Sequence, residues 1–268
     1  MCGRYVTISK VESIEKRFKI TIPEPKKHVP NPNLGPGQTG LVITQEDPQT
    51  GQFFSFGLTP FWGKKRMYLF NARSEGDLNK ENDPQFSGAK GIIKKPAFRK
   101  PIRSQRCLIV ADAFIEGPEK EKLCKPYLVY LKNNQRPFAF AGIYDQWVDK
   151  DTGEIFNGYS IITTTANRVL QKVGHHRSPV ILKPEDESTW LDAEAPLNEI
   201  TSLLKPYPAD EMNAYPISPD IKNPRNHDMS LLQPVGQRVE KEYDYSVEEM
   251  LQLWGMGESS ARQRRKDE

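Results

Sequence analysis

Short apolar runs rich in β-branched and aromatic residues recur along the chain, each bounded by turn-forming residues. They predict strands at 41–44, 52–56, 107–111, 127–131, 138–143 and 159–164. Helical spacing is rarer. Val11, Ile14 and Phe18 recur on one face behind Ser9-Lys10-Val11-Glu12, a capping box, and predict a short amphipathic helix. Two more helices are expected at 185–191, with Pro184 in the first turn, and at 197–204. A second capping box, Ser246-Val247-Glu248-Glu249, opens a helix that ends near Trp254-Gly255. Residues 23–37 carry Pro23, Pro25, Pro30, Pro32, Pro36 and two glycines, and predict a long irregular loop. Residues 76–95 are polar and read as an insertion loop, and the chain beyond Gly257 as a disordered basic tail. With no internal repeat, the pattern predicts one α+β domain over 1–240, a mixed sheet with peripheral helices, and a C-terminal extension over 241–268.

Composition excludes several classes. No apolar stretch approaches the 18 residues of a membrane span, and no apolar segment follows the N-terminal basic residue as a secretory signal requires. The expectation is a cytoplasmic protein, nucleoid-associated in a bacterium and not secreted. The three cysteines, at 2, 107 and 124, are spaced too widely for a disulfide framework or a zinc knuckle. Charge changes the picture more. Residues 61–106 hold twelve Lys and Arg against four Asp and Glu, so this stretch is +8 and the rest of the chain −5. Phe61, Trp62, Tyr68, Phe70 and Phe98 are interleaved with those cations. Cations beside stacking platforms suit a single-stranded nucleic acid.

Cys2 is the most informative residue. Removal of Met1 would put an amine and a thiol on adjacent carbons of an N-terminal residue, with ordinary pKa values of roughly 7.7–8.0 and about 8.5. Such an aminothiol can attack an amide through sulfur, its own amine acting as base. It can also condense with an aldehyde and close to a thiazolidine. Acid/base partners are less obvious. His175 and His176 sit in Val173-Gly174-His175-His176-Arg177-Ser178-Pro179, a loop between a predicted helix and a strand. Glu116 ends the apolar run Ala111-Asp112-Ala113-Phe114-Ile115, a place from which a carboxylate can be carried to a site. Asn71-Ala72-Arg73 could hold a phosphate or a sugar oxygen. Adjacent histidines without a carboxylate cluster do not make a metal site, so neither metal nor cofactor is expected.

Ten segments in order carry a more specific signal. They are Met1-Cys2-Gly3-Arg4-Tyr5, Asn33-Leu34-Gly35-Pro36-Gly37, Phe56-Gly57-Leu58-Thr59-Pro60-Phe61-Trp62, Asn71-Ala72-Arg73-Ser74-Glu75 and Pro96-Ala97-Phe98-Arg99. Arg106-Cys107-Leu108-Ile109-Val110-Ala111-Asp112, Lys125-Pro126-Tyr127, Phe140-Ala141-Gly142-Ile143-Tyr144-Asp145-Gln146-Trp147, Ile162-Thr163-Thr164-Thr165-Ala166-Asn167 and His175-His176-Arg177-Ser178-Pro179 follow. Together they resemble the SOS-response-associated peptidase family, the abasic-site processing proteins, over most of the chain. The resemblance implies a mixed, mainly antiparallel, barrel-like sheet. It implies that Cys2 forms a thiazolidine with the ring-opened aldehyde of an abasic site in single-stranded DNA. Asn71 would position the sugar, Glu116 would handle the amine and Schiff-base protons, and His175 would open the sugar ring. Arg4, Arg73 and Arg177 would bind phosphates, with Asn33 and Trp62 also contacting the strand. A self-processing peptidase activity at Met1-Cys2, and a lyase or crosslink-reversal activity, are further implications, as is a monomer.

The family's usual Asp-Gly-Phe-Tyr-Glu-Trp reads Asp112-Ala113-Phe114-Ile115-Glu116-Gly117 here, so the carboxylate stays while two aromatic neighbours are lost. Two other functions fit the same residues: an N-terminal-nucleophile thiol hydrolase of glutaminase type, and a non-catalytic binder of single-stranded nucleic acid.

Overall fold

The computed structural model describes residues 3–242. Cys2, the helix expected behind Ser246 and the basic tail lie outside them. The chain begins with β1 (Tyr5–Thr7), α1 (Val11–Phe18), β2 (Asn31–Leu34), β3 (Thr39–Thr44) and β4 (Gly51–Phe56). It continues through β5 (Asn71–Arg73), α2 (Pro101–Ser104), β6 (Arg106–Ala111), β7 (Ala113–Glu116), β8 (Tyr127–Leu131), β9 (Phe138–Val148) and β10 (Ile155–Thr165). The last part holds α3 (Arg168–Val173), β11 (Arg177–Pro179), β12 (Ile181–Leu182), α4 (Glu187–Leu191), α5 (Leu197–Ser202) and β13 (Met212–Pro216).

Five strands close on themselves. The antiparallel pairs β4–β3, β3–β6, β6–β9 and β9–β10 are completed by a parallel β10–β4 pairing, which makes a barrel. β5 and β11 attach to the C-terminal half of β10, and β12 to β9. A second, antiparallel sheet runs β13-β8-β7-β1-β2. Only Asp112 separates β6 from β7, so the chain turns from barrel to second sheet through one residue. The expected single α+β fold with a barrel-like sheet and peripheral helices holds.

Alternation divides the core. Val42, Cys107, Ile109 and Ala111 join Tyr5, Phe56, Phe114, Phe140 and Tyr159 in one cluster. Leu41, Ile43, Leu108 and Val110 face the other way, against Ile14, Ile102, Trp190 and Ile200 from the helices. A strand buried on both faces reads as an unbroken apolar run, which is why 107–111 was legible.

Two expectations need correction. α1 forms, but Ser9 does not cap it. Lys10 is the N-cap, without a side-chain bond, while Ser9 gives its backbone N–H (2.8 Å) and its hydroxyl to Asp112 at the barrel corner. The stretch 23–37 is not wholly irregular, because β2 lies within it. β2 is an edge strand, where Pro32 leaves no interior ladder position unfilled. Residues 76–95 run through turns and a short 3₁₀ helix at Gly91–Lys94; Ile92 N–H donates to Ser74 O at 3.1 Å, and Lys95 pairs with Asp77 at 2.5 Å.

Candidate active site

The register of the second sheet sets the first wall of the site. β1 and β7 pair antiparallel with Tyr5 opposite Phe114 and Val6 opposite Ala113, and Ile115 N–H donates to Arg4 O at 3.0 Å. Carrying the register on places Gly3 opposite Glu116. Both line a cleft of about 560 Å³, with Arg4, Phe70, Arg73, Thr163, His175, His176 and Arg177. Arg4 crosses the backbone of Gly35, where a Cβ would lie 2.9 Å from the guanidinium carbon. The motif glycine therefore makes room for the arginine. Partial burial pulls Arg4 below its ordinary pKa.

The opposite wall comes from the end of β10. β5 runs parallel to it, with Arg73 opposite Thr163, and β11 antiparallel, with Arg177 opposite Thr165. Asn167 caps α3 by accepting from Leu170 N–H at 3.2 Å. Gly174 ends the helix at φ 83°, a left-handed conformation that glycine adopts without strain. That turn delivers His175 inward. His175 is 5% exposed and Glu116 4%, and His175 Nε2 lies 3.2 Å from Glu116 Oε2. His175 Nδ1 lies 2.9 Å from Arg177 O and 3.2 Å from Arg177 N, so the backbone of Arg177 orients the ring. Nε2 is the ring nitrogen that faces the carboxylate. Glu116 Oε1 is buried and has no hydrogen-bond partner among the described residues. An acceptor so placed at a cleft wall is suited to an incoming donor.

Beneath this pair lies a buried ion pair that the sequence did not single out. Arg177 Nη2 and Nη1 reach Glu75 Oε2 and Oε1 at 2.8 and 3.3 Å, and Nη2 also donates to Thr163 Oγ1 at 3.2 Å. Glu75 is fully buried and Arg177 nearly so. Burial alone would raise the Glu75 carboxyl, but the hydrogen bonds and charge of Arg177 outweigh it and hold it below the ordinary carboxylate range. Because Arg177 also meets His175 through its backbone, the pair anchors the histidine loop. Arg73 Nη2 donates to Asn79 O and, at 3.0 Å, to Asn82 Oδ1, so the polar segment after residue 76 orients it. Burial, then the charge of Arg177, lower the Arg73 pKa.

The structure thus brings Arg4, Arg73, Glu116, His175 and Arg177 to one cleft, although the guanidinium of Arg177 is committed to Glu75. Asn71 begins β5 opposite Ile161 and its Nδ2 donates to Phe70 O at 3.0 Å; its chain neighbours Phe70 and Arg73 line the cleft. Cys2 lies outside the described residues, adjacent in the chain to Gly3. Asn33 is not brought to the cleft: it is fully buried in β2, its Nδ2 within 3.1 Å of the carbonyls of Ile221, Asn223 and Asn226. Trp62 is half exposed outside the cleft lining, beside exposed Phe61 and Tyr68. There Lys100 sits 4.7 Å above the Phe61 ring and Arg66 lies 5.1 Å from that of Tyr68. Residues missed by sequence reasoning are Glu75, and Glu119 and Lys122 of the segment after β7, which also line the cleft. For Glu75 the signal was available in Asn71-Ala72-Arg73-Ser74-Glu75, an acid beside an arginine. For the other two there was none.

Residues 1–224 match the family described as SOS response associated peptidase. The abasic site processing protein YoqW of Bacillus subtilis is 34% identical over 242 residues, covering 87% of this chain and 99% of its own. The abasic site processing protein HMCES of Gallus gallus is 28% identical over 250 residues, covering 81% of this chain and 69% of its own. A crystal structure of a protein from Bacteroides thetaiotaomicron superposes with a TM-score of 0.74 at 29% identity, covering 88% of this chain and all of the other. With the match spanning both walls of the cleft, the chain belongs to the SOS response associated peptidase family.

Proposed function

We propose that this protein processes abasic sites in single-stranded DNA by forming a covalent thiazolidine crosslink through Cys2, freed by removal of Met1. The observation that carries the proposal is that Gly3, next to Cys2 in the chain, shares a cleft with the Glu116–His175 pair. The names of the relatives support the substrate class, and the basic, aromatic stretch 61–106 supports a single strand as partner.

The chemistry balances without cofactor. His175 protonates the ring oxygen of the closed sugar as its hemiacetal hydroxyl loses a proton, freeing the aldehyde. The Cys2 amine adds to the aldehyde carbon. Glu116 carries protons between the amine and the carbinolamine oxygen, which leaves as water and gives the imine. Sγ then adds to the imine carbon while nitrogen takes up a proton, closing the five-membered ring. Asn71 and the cleft arginines hold sugar and phosphates. The same Cys2 thiol, with this acid/base pair, could release Met1, and reversal of the adduct retraces the same proton transfers.

Incubation with an abasic single-stranded oligonucleotide tests the proposal against its competitors. Wild-type protein should give an adduct stable to denaturation. Cys2→Ala should give none, while keeping non-covalent binding within a fewfold, because phosphate contacts supply most of the affinity. Turnover of a glutamine or peptide amide without adduct would favour the hydrolase, and binding without adduct the non-catalytic module.

A further inference from the structure

His176 is not used by the chemistry above, yet it faces the same cleft. Its ring stacks on that of His175, with centroids 5.0 Å apart and planes 20° from parallel. Nδ1 is shielded from solvent and lies 3.3 Å from Glu119 Oε2. With one face covered by His175 and Nδ1 turned inward, the exposed quarter of the side chain is the outer face and the Nε2 edge. Burial, and next the neighbouring His175, push its pKa below the ordinary histidine value, so the ring is neutral at pH 7 and presents an aromatic face.

Among the described residues, the rim beside it offers no other ring. After Glu116 the chain turns at Gly117, where a Cβ would overlap the carbonyl oxygen of Lys122 and lie 2.9 Å from that of Lys125. The folded 117–125 segment therefore fills the space a large side chain would need, and it lines the cleft with Pro118, Glu119, Lys122 and Leu123, none of them aromatic. Phe70 is on the far wall, on the strand side of Arg73. A base next to the lesion that enters between the walls meets one aromatic face on this side.

We propose that His176 seats a nucleobase adjacent to the abasic sugar, stacked on its outer face and continuing the His175–His176 stack. This rests on the abasic-site reading of the cleft. The subsite accepts any base, since every base has a π-face, and is indifferent to hydrogen-bonding pattern.

The test compares oligonucleotides whose abasic site is flanked by purines with ones flanked by base-free tetrahydrofuran residues. Affinity is read by fluorescence anisotropy in a Cys2→Ala background, which removes the covalent step. The purine-flanked strand should bind about tenfold more tightly, the value of one base–aromatic stack. His176→Ala and His176→Asn should both lose that preference, the second while keeping a donor for Glu119. His176→Phe should keep it. If His176→Ala retains the preference, the proposal is wrong. It is equally wrong if His176→Ala weakens both strands alike with a shallower salt dependence, the mark of a phosphate contact. Failure of the wild-type protein to crosslink either strand would instead remove the abasic-site reading itself.

Discussion

At the scale of single residues, the division of labour rests on two buried side chains 3.2 Å apart, one with a spare oxygen at the cleft wall. Neither is a nucleophile, so losing either should slow adduct formation and leave binding nearly unchanged. In the proposed mechanism Glu116→Gln keeps the shape and removes the proton carrier, and His175→Ala removes the acid that opens the sugar. Each should lower the single-turnover crosslinking rate under saturating oligonucleotide by about 10²- to 10⁴-fold. His175→Ala should recover rate on a substrate presented as the open aldehyde, whereas Glu116→Gln should not. Wild-type rates in both variants would leave Cys2 as the sole reactive group. His175, Glu116 and Arg73 were legible in the sequence because motif order carries them to the site. The burial of Glu75 was not, although its motif was, because an acid in a polar stretch looks the same whether it is solvated or buried. Asn33 shows the reverse, a motif residue whose amide is consumed by backbone carbonyls.

At the scale of elements, the loop that carries His175 is only as fixed as the strand that follows it. β11 is held to β10 by its ladder, and to the segment just after β5 by the Arg177–Glu75 pair. The Glu75 carboxyl lies below its unfolded value, so its contribution to stability is present above the unfolded carboxylate range of about 4.3 and is lost as pH falls through the lower, folded value. Glu75→Gln should therefore cost on the order of 3 kcal/mol at neutral pH, by leaving Arg177 buried without its partner, and less in acid. Denaturant melts at pH 7 and pH 3 check this. An equal loss at both would contradict the role of charge. Gly117→Ala should lower stability by about 1–3 kcal/mol, because its Cβ meets the backbone of 122–125 rather than a flexible side chain, and a thermal melt reads that loss. The long barrel strands were legible because apolar runs of five or six residues announce themselves. β1, β5 and β11 were not: three residues carry no period, and they are strands only because β7 and β10 are there to pair them.

At the scale of the molecule, the basic stretch 61–106 is divided by the fold between two places. Phe70 and Arg73 enter the cleft, while Phe61, Trp62 and Tyr68 stay outside among lysines and arginines. Trp62→Ala should weaken non-covalent single-strand binding about tenfold through lost stacking, with no change in the crosslinking rate at saturation. Arg73→Ala should instead reduce the slope of log affinity against log salt by about one. Interchanged outcomes would reverse the two assignments. The central claim concerns bonds rather than affinity, and the mass of the denatured adduct between wild-type protein and an abasic oligonucleotide reads those bonds directly. The account predicts the mass of the chain from Cys2 onward plus the oligonucleotide less one water, with peptide mapping placing the attachment on Cys2. An adduct that retains Met1, or one attached through a lysine with Cys2 unmodified, would contradict it.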